Sequence, residues 1–442
     1  METEIRIFPR EKGEHQRVAL VRPGSWAELD FLSPKPTDNA FSAFVHIYRA
    51  FLVPSAPQLF GDLVLFQLPE DMELPAFIRS AYGDHIGSDL TMAAMALRAS
   101  ITVTAEGVEF HTQEIRGFWD ALVRRDCVAV VRGERGGTQV IPMSRRAGYL
   151  TESQGRMKVN SSFFIMDPID CATVYDHIGT PFGLMVKGGA VHHPPLFDRE
   201  ALLVSTDGAV SIQKVSLTDL GVAINGKVYR HGVNARFYAR PHHSESPEDQ
   251  RSVVIIGNRV EAVWDHGTQV PASGFVLCPD EPCDILPGAT VTYTGMEQVA
   301  FGLQVGNPIL KDGEVVTEFT SPFYDVRRRE TAAFPPSLYP LDFEYARAAR
   351  IGLGADSLGR PMILWAEGAA KFGHRPGVDS CGASLSEMGQ ICQAVGMYQA
   401  INLDGGGSAQ LLVEDHRPLQ ISDRNTDFTQ SQRPVPMGLV VI

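Results

Sequence analysis

Cysteine is scarce in this chain, with six residues in 442 (Cys127, Cys171, Cys278, Cys283, Cys381, Cys392) and no CxxC pair. That argues against a disulfide-stapled scaffold and a four-thiolate zinc site, and it reads as reduced thiols in a cytosolic protein. Only Cys278 and Cys283, in Cys-Pro-Asp-Glu-Pro-Cys, stand close enough for a loop disulfide or half of a metal site. A long apolar run is missing too, and the charged opening METEIRIFPREKGEHQR stands where a secretory leader would carry its apolar core. The expectation is therefore a cytoplasmic chain without a membrane span. Positive charge is in deficit: 39 basic against 52 acidic residues leave a net charge of −13, which argues against general affinity for nucleic acid or anionic lipid. Any anionic ligand must then meet a local cluster of Arg and backbone amides. Neither GxxxxGK nor GxGxxG follows a strand-like run, and no segment repeats at a fixed period, so the usual nucleotide cradles and solenoid architectures are excluded.

What is present is the composition of a folded protein, 44% apolar and 21% charged, at a length that calls for more than one ordinary core. Residues 1–120 alternate short apolar stretches with Pro-rich connections and carry no constellation tied to chemistry; they read as an N-terminal accessory region. Helix-forming residues crowd 89–98 and 117–125. From 125 to 442 the texture becomes short β-rich runs between Gly, Asp and Pro turns, including 128–132, 183–186, 201–205, 252–256, 289–293 and 362–366. The expected fold class is α+β: a mainly antiparallel sheet with segregated helices. The clearest helix begins after Ser384, with Glu387 three residues on as a capping box, Leu385, Met388, Ile391, Cys392 and Val395 at helical spacing, and Gly396 to end it. Residues 398–403 then read as a strand that delivers Asp404 into Gly405-Gly406-Gly407-Ser408.

Three glycines behind an Asp at a strand end let backbone N–H groups approach a ligand as an anion-binding nest, and the same residues also suit a tight loop before a strand at 410–414. Two histidine pairs, His192-His193 and His242-His243, with Asp198 or Glu245 nearby, offer a metal story. Adjacent strand residues point to opposite faces, however, and such a pair rarely chelates one ion. No metal and no cofactor is expected.

Ala400 to Ser408, AINLDGGGS, followed by Arg433-Pro-Val-Pro436, resembles the C-terminal motif of the phosphodiester glycosidase family. Val159-Asn-Ser-Ser-Phe-Phe164, Thr180-Pro-Phe-Gly-Leu184, Val270-Pro-Ala-Ser-Gly-Phe-Val-Leu277, Gly306-Asn-Pro-Ile-Leu-Lys-Asp-Gly313 and Arg350-Ile-Gly-Leu-Gly354 resemble its other blocks, in the same order. Ile351 and Gly352 stand where the family carries Thr-Ala, and Glu367 where it often has Asp. The resemblance implies a hydrolase that cleaves a sugar-1-phosphate diester at the anomeric carbon, in a family with bacterial members linked to exopolysaccharides. Its substrate would be a small molecule or oligosaccharide carrying a phosphodiester. Asp404, Asn160 and Arg350 are the implied catalytic group, and Gly405, Gly406, Gly407, Ser408, Arg433 and Glu367 the implied substrate-binding group. Such a reaction expels a phosphate monoester, a stable anion, so cationic and amide donors plus one carboxylate suffice. Asn160 either holds substrate or caps a turn, and Arg433 either clamps phosphate or fixes the C-terminal strand. Asp404 is expected to stay ionised at neutral pH beside the glycine amides and Arg350. Two other classes stay open: a phosphosaccharide-binding protein without catalysis, and an ordinary glycoside hydrolase pairing Asp404 with Glu367.

Overall fold

The computed structural model describes residues 2–37, 147–165, 175–176, 178–196, 199–240, 242–319, 346–369, 375–419 and 433–442, the single residues 40, 43 and 173, and the strand backbones 63–67, 101–104, 107–110, 127–132 and 138–142. The helices expected at 89–98 and 117–125 lie outside these residues.

The α+β expectation is overturned: the protein is mostly β, built from several antiparallel sheets, and the described residues contain one α-helix, Leu385–Ala394. Short runs of β-branched and aromatic residues between turn residues dominate the sequence from 125 on, and each closes a ladder with a neighbour instead of alternating with helices. A seven-stranded sheet is at the centre, in the order Glu2–Pro9, His15–Arg22, Pro361–Ala366, Arg350–Asp356, Met397–Asn402, Pro308–Lys311, Glu314–Val315. Both faces of this sheet are covered. Val18 and Leu20 pack with Met362, Leu364 and the helix residues Leu385, Met388, Ile391 and Cys392. Ala19 and Val21 pack on the opposite face with Ile351, Leu353, Ile363, Trp365 and Ile401. This is the period-two alternation of a strand, with apolar residues at both phases because both faces are dry.

The helix is capped as its sequence dictates: Ser384 Oγ accepts from Glu387 N (3.2 Å), and Glu387 accepts from Ser384 N (2.9 Å). Gly396, at φ 91°, follows it. Ser384→Ala is expected to cost about 1 kcal/mol of stability, read as a lowered denaturation midpoint, and to leave turnover within about twofold of the parent.

The helix lies close to the sheet at Gly352, where an added Cβ would come within 3.2 Å of Met388 Cε and 3.3 Å of Cys392 Sγ. At Gly354 the same addition would sit 1.8 Å from the Gln399 carbonyl oxygen, so strands Arg350–Asp356 and Met397–Asn402 approach as closely as they do only over glycine. The departures at 351 and 352 thus have a packing reason: Ile351 is core and Gly352 lies under the helix.

A second sheet, of four strands, runs Leu411–Val413, Met157–Asn160, Gly438–Val441, Leu29–Leu32. The first 32 residues therefore supply three strands to the two sheets that also hold Asn160, Arg350 and the strand leading to Asp404. Further antiparallel sheets built from residues 185–303 extend the core, and Asp176 ties this part together: its two carboxylate oxygens accept from the N–H of Thr173, Ala272 and Ser273 and from the hydroxyls of Thr173 and Ser273. Cys278 and Cys283 are free thiols.

Candidate active site

The chain crosses from the seven-stranded sheet to the four-stranded one through residues 403–410. Met397–Asn402 belongs to the first sheet and Leu411–Val413 to the second, so the glycine turn is the bridge between two rigid ladders. Four further bonds fix it. Leu403 N donates to Ile351 O (2.8 Å), Asp404 N to Ser161 O (2.9 Å), Gly406 N to Ala349 O (2.8 Å) and Ser408 N to Gly405 O (3.2 Å). Gly406 takes φ 57°, the left-handed region that glycine enters without strain.

Asn160, at the end of its strand, spans the bridge. Its Nδ2 donates to the Asp404 carbonyl (2.7 Å), and its Oδ1 accepts from Gln410 N (2.8 Å). The side-chain amide thus holds both ends of the glycine turn and is buried at 1% exposure. Asn is suited to this because one planar group offers a donor and an acceptor in opposite directions.

Arg350 opens the strand beside Met397–Asn402 and is also buried. Its Nε donates to Ala383 O (3.2 Å) and its Nη2 to Ala346 O (2.9 Å). Its aliphatic stem runs beside Gly405, where an added Cβ would meet Arg350 Cδ at 3.7 Å. Arg433 sits on the other side of the turn: its guanidinium lies against Gly407 so closely that a Cβ there would be 2.3 Å from Arg433 Cζ. Gln410 Nε2 donates to Arg433 O (2.7 Å), anchoring the backbone that presents this guanidinium.

Asp404 is the buried carboxyl at the centre of this group. Loss of hydration pushes its pKa up from 3.8 to about 7, opposed by a hydrogen bond from Ser408, the charge of Arg433 and the amide of Gly405. The expectation of a carboxylate held ionised by Arg350 and the glycine amides is therefore corrected on two points: burial outweighs the donors, and the cation beside it is Arg433. The nest expectation changes as well, because the amides of Gly405, Gly406 and Ser408 are engaged by Asp404, Ala349 O and Gly405 O respectively.

Glu367 follows the strand Pro361–Ala366, two strands from Asp404 in the sheet order. It is 1% exposed, and its Oε2 accepts from Ser380 Oγ (2.7 Å) and pairs with Arg17 Nε at 2.7 Å. It braces the N-terminal strand His15–Arg22 against the segment 379–383. In the strand Ala190–His193, His192 is exposed and His193 buried, on opposite faces, and among the described residues no group of three or more His, Cys, Asp or Glu side chains is placed to hold a metal ion. Among the described residues no helix is long and apolar enough to cross a membrane. The positions of Arg433 and Gln410 relative to Asp404 depend on how the two sheets meet, which no spacing along the chain encodes.

The site is thus that of a mostly β protein in which the one strongly perturbed carboxyl among the described residues sits on a glycine turn between two sheets, next to an arginine. The model of the phosphodiester glycosidase family matches residues 218–442, just over half of the chain, and the chain belongs to that family. The motifs at 159–164 and 180–184 precede the matched region. No curated protein matches the chain. Among solved structures, a hypothetical protein from Synechocystis is similar at 15% identity and a TM-score of 0.39, over 77% of this chain and 60% of that one. This chain therefore spans less than two thirds of that protein's length. A putative exported protein from Burkholderia pseudomallei is similar at 13% identity and a TM-score of 0.39, over 100% of this chain and 96% of that one. The catalytic domain of zebrafish N-acetylglucosamine-1-phosphodiester alpha-N-acetylglucosaminidase, auto-inhibited by its pro-peptide, is similar at 12% identity and a TM-score of 0.28, over 93% and 87% of the two chains.

Proposed function

We propose that this protein hydrolyses a glycosyl phosphodiester at the anomeric carbon, with Asp404 as the reacting carboxylate and Arg433 as the cation that receives the phosphate. Residues 125–442 carry the chemistry. The observation that supports this reading best is the buried Asp404 carboxyl with Ser408 and Arg433 beside it, within a family defined by phosphodiester glycosidase activity.

In the reaction the bond between the anomeric carbon and the phosphodiester oxygen breaks, and its electron pair leaves with the phosphate. The oxygen of a water molecule bonds to the same carbon, and one proton of that water passes to Asp404 and then to solvent. The leaving phosphate monoester is a stable anion, so protonation of the leaving oxygen contributes little and the demand falls on the cationic carbon and the water. An ionised Asp404 in a site of low polarity serves both, since it stabilises positive charge at the carbon and accepts the water's proton. A base with a pKa of about 7 matches its proton affinity to neutral conditions. Arg433 offers a planar fork of donors to the phosphate. In this reading Asn160 and Arg350 act through the turn: one ties its ends, and the other fixes the strand and the segment beside it to backbone carbonyls.

A panel of α-linked sugar-1-phosphodiesters, nucleotide sugars and aryl glycosides, with product analysis, tests the reading. Turnover of a phosphodiester with release of the phosphate monoester is the expected result. Turnover of aryl glycosides alone, or binding without turnover, would replace it by one of the two other classes. On the accepted substrate, log kcat/KM is expected to rise with unit slope as pH increases towards about 7 and to level off above it, because only the ionised Asp404 acts as base. A profile flat from pH 5 to 8 would remove Asp404 from that role.

A further inference from the structure

Glu2–Pro9 is an end strand of the seven-stranded sheet, and among the described residues no strand pairs with its outer edge. It is long and apolar for an edge: Ile5 and Ile7, on one face of the strand, are 53% and 64% exposed. Exposed edges of this kind pair with another strand unless the sequence prevents it.

The phase of the ladder fixes which backbone groups face outward. Arg10 N donates to Glu14 O (2.7 Å), while the next pair, Pro9 with His15, cannot exchange both bonds because proline has no N–H. Hydrogen-bonded and non-hydrogen-bonded pairs alternate in an antiparallel ladder, so Glu4, Arg6 and Phe8 turn their N–H and C=O groups inward to His15–Arg22. The next ladder agrees: Glu367 N donates to Arg17 O (3.0 Å), so the odd-numbered residues of His15–Arg22 face Pro361–Ala366. Thr3, Ile5 and Ile7 therefore carry the outward-facing donors and acceptors.

These groups fit a second copy of the same strand, approaching antiparallel about a two-fold axis at Ile5. Ile5 then meets Ile5 of the second copy and Thr3 meets its Ile7, each as a pair that exchanges both main-chain bonds. On the other face, Glu4 stands opposite Arg6 of the second copy, and Arg6 opposite its Glu4. Neighbouring registers fail. A slip of one residue sets outward-facing groups against inward-facing ones. A slip of two sets Glu4 against Glu4 in one direction; in the other it sets Arg6 against Arg6 and Thr3 against Pro9, which has no N–H to give. One register alone satisfies backbone, charge and apolar side chains together.

We propose that this protein forms a two-fold dimer in which Glu2–Pro9 of two copies pair antiparallel about Ile5, joining their seven-stranded sheets into one. The contact is isologous and uses up the edge in both copies, so assembly stops at two.

Sedimentation equilibrium across the micromolar range is expected to show the parent at twice the mass of one chain. Glu4→Arg and Arg6→Glu each replace two attractive cross-strand pairs by two repulsive ones, and each should weaken the dimer by about tenfold or more. Mixed in equal amounts, the two variants should recover the parent's affinity, because every Arg of one then faces a Glu of the other. Ile5→Lys changes an exposed side chain, sets two ammonium groups against each other on the axis, and should give monomers. Melting temperatures identify any variant that has lost its fold, in which case Ile5→Lys decides. A monomeric parent overturns the proposal. So does a dimer indifferent to Ile5→Lys, which places the contact elsewhere, or a pair of folded charge variants that fail to recover together, which excludes this register.

Discussion

Asp404→Asn is expected to lower turnover of an accepted phosphodiester by at least about a hundredfold, the scale of removing one electrostatic stabiliser from an enclosed site. The same substitution is expected to make the protein more stable at pH 8. The sign follows from proton binding. Burial raises the folded-state pKa of Asp404 from 3.8 to about 7, so between these values the folded chain holds a proton that the unfolded chain has released. Stability therefore falls as pH rises through that window, and the loss is complete above about pH 7. At about 1.4 kcal/mol per pH unit, a window of roughly three units amounts to about 4 kcal/mol. Asn does not titrate, and its Oδ1 still accepts from the donors around it. Melting curves of the parent and the Asn variant should lie close together near pH 4 and diverge upward for the variant towards pH 8. A variant that remains active, or one whose stability relative to the parent is the same at both pH values, would show that Asp404 only shapes the turn.

Asn160→Ala should have the opposite signature, a large loss of stability together with lost turnover. Two buried backbone groups, the Asp404 carbonyl and the Gln410 N–H, would lose their partners at once. At about 1–3 kcal/mol for each unmet group, the expected cost is about 2 to 6 kcal/mol. The turn it releases carries the carboxyl, and misplacement by about 1 Å is enough for a hundredfold loss of rate. Asn160→Asp keeps the acceptor for Gln410 N but sets an oxygen against the Asp404 carbonyl, so it should be destabilised too. Were Asn160 instead a substrate contact, Ala would raise KM and leave the denaturation midpoint nearly unchanged.

The helix Leu385–Ala394 and its capping box are legible because both signals are local: apolar residues three and four apart, and Ser three residues before Glu. The strand that delivers Asp404 is legible for the same reason, as are the strand Ser252–Ile256 and the core of Pro361–Ala366. The balance of helix and sheet is not legible in this way, because helix-forming composition is a signal along the chain, whereas most of the described chain satisfies its backbone groups in ladders between distant segments. The site divides along the same line. Asp404 and its glycines announce themselves in sequence, but the commitment of the Asn160 amide to two backbone atoms, the seat of Arg433 on Gly407 and the shift of the Asp404 carboxyl all arise from packing between strands far apart in the chain.

The hairpin formed by Glu2–Pro9 and His15–Arg22 has a consequence for how the protein is made. Its inner strand pairs Val18 with Ala366, 348 positions further along, and Arg17 reaches Glu367 beside it. At about 5–20 residues per second, a ribosome adds that partner roughly 20 to 70 s after the hairpin has been synthesised. During that interval Val18, Leu20 and Val21 have none of the Pro361–Ala366 partners that bury them in the finished sheet. Such distant contacts close slowly, since chain entropy is lost before the ladder forms. A strand synthesised so far ahead of its partner is thus completed late, and nascent chains should depend on chaperones until Pro361–Ala366 has left the ribosome.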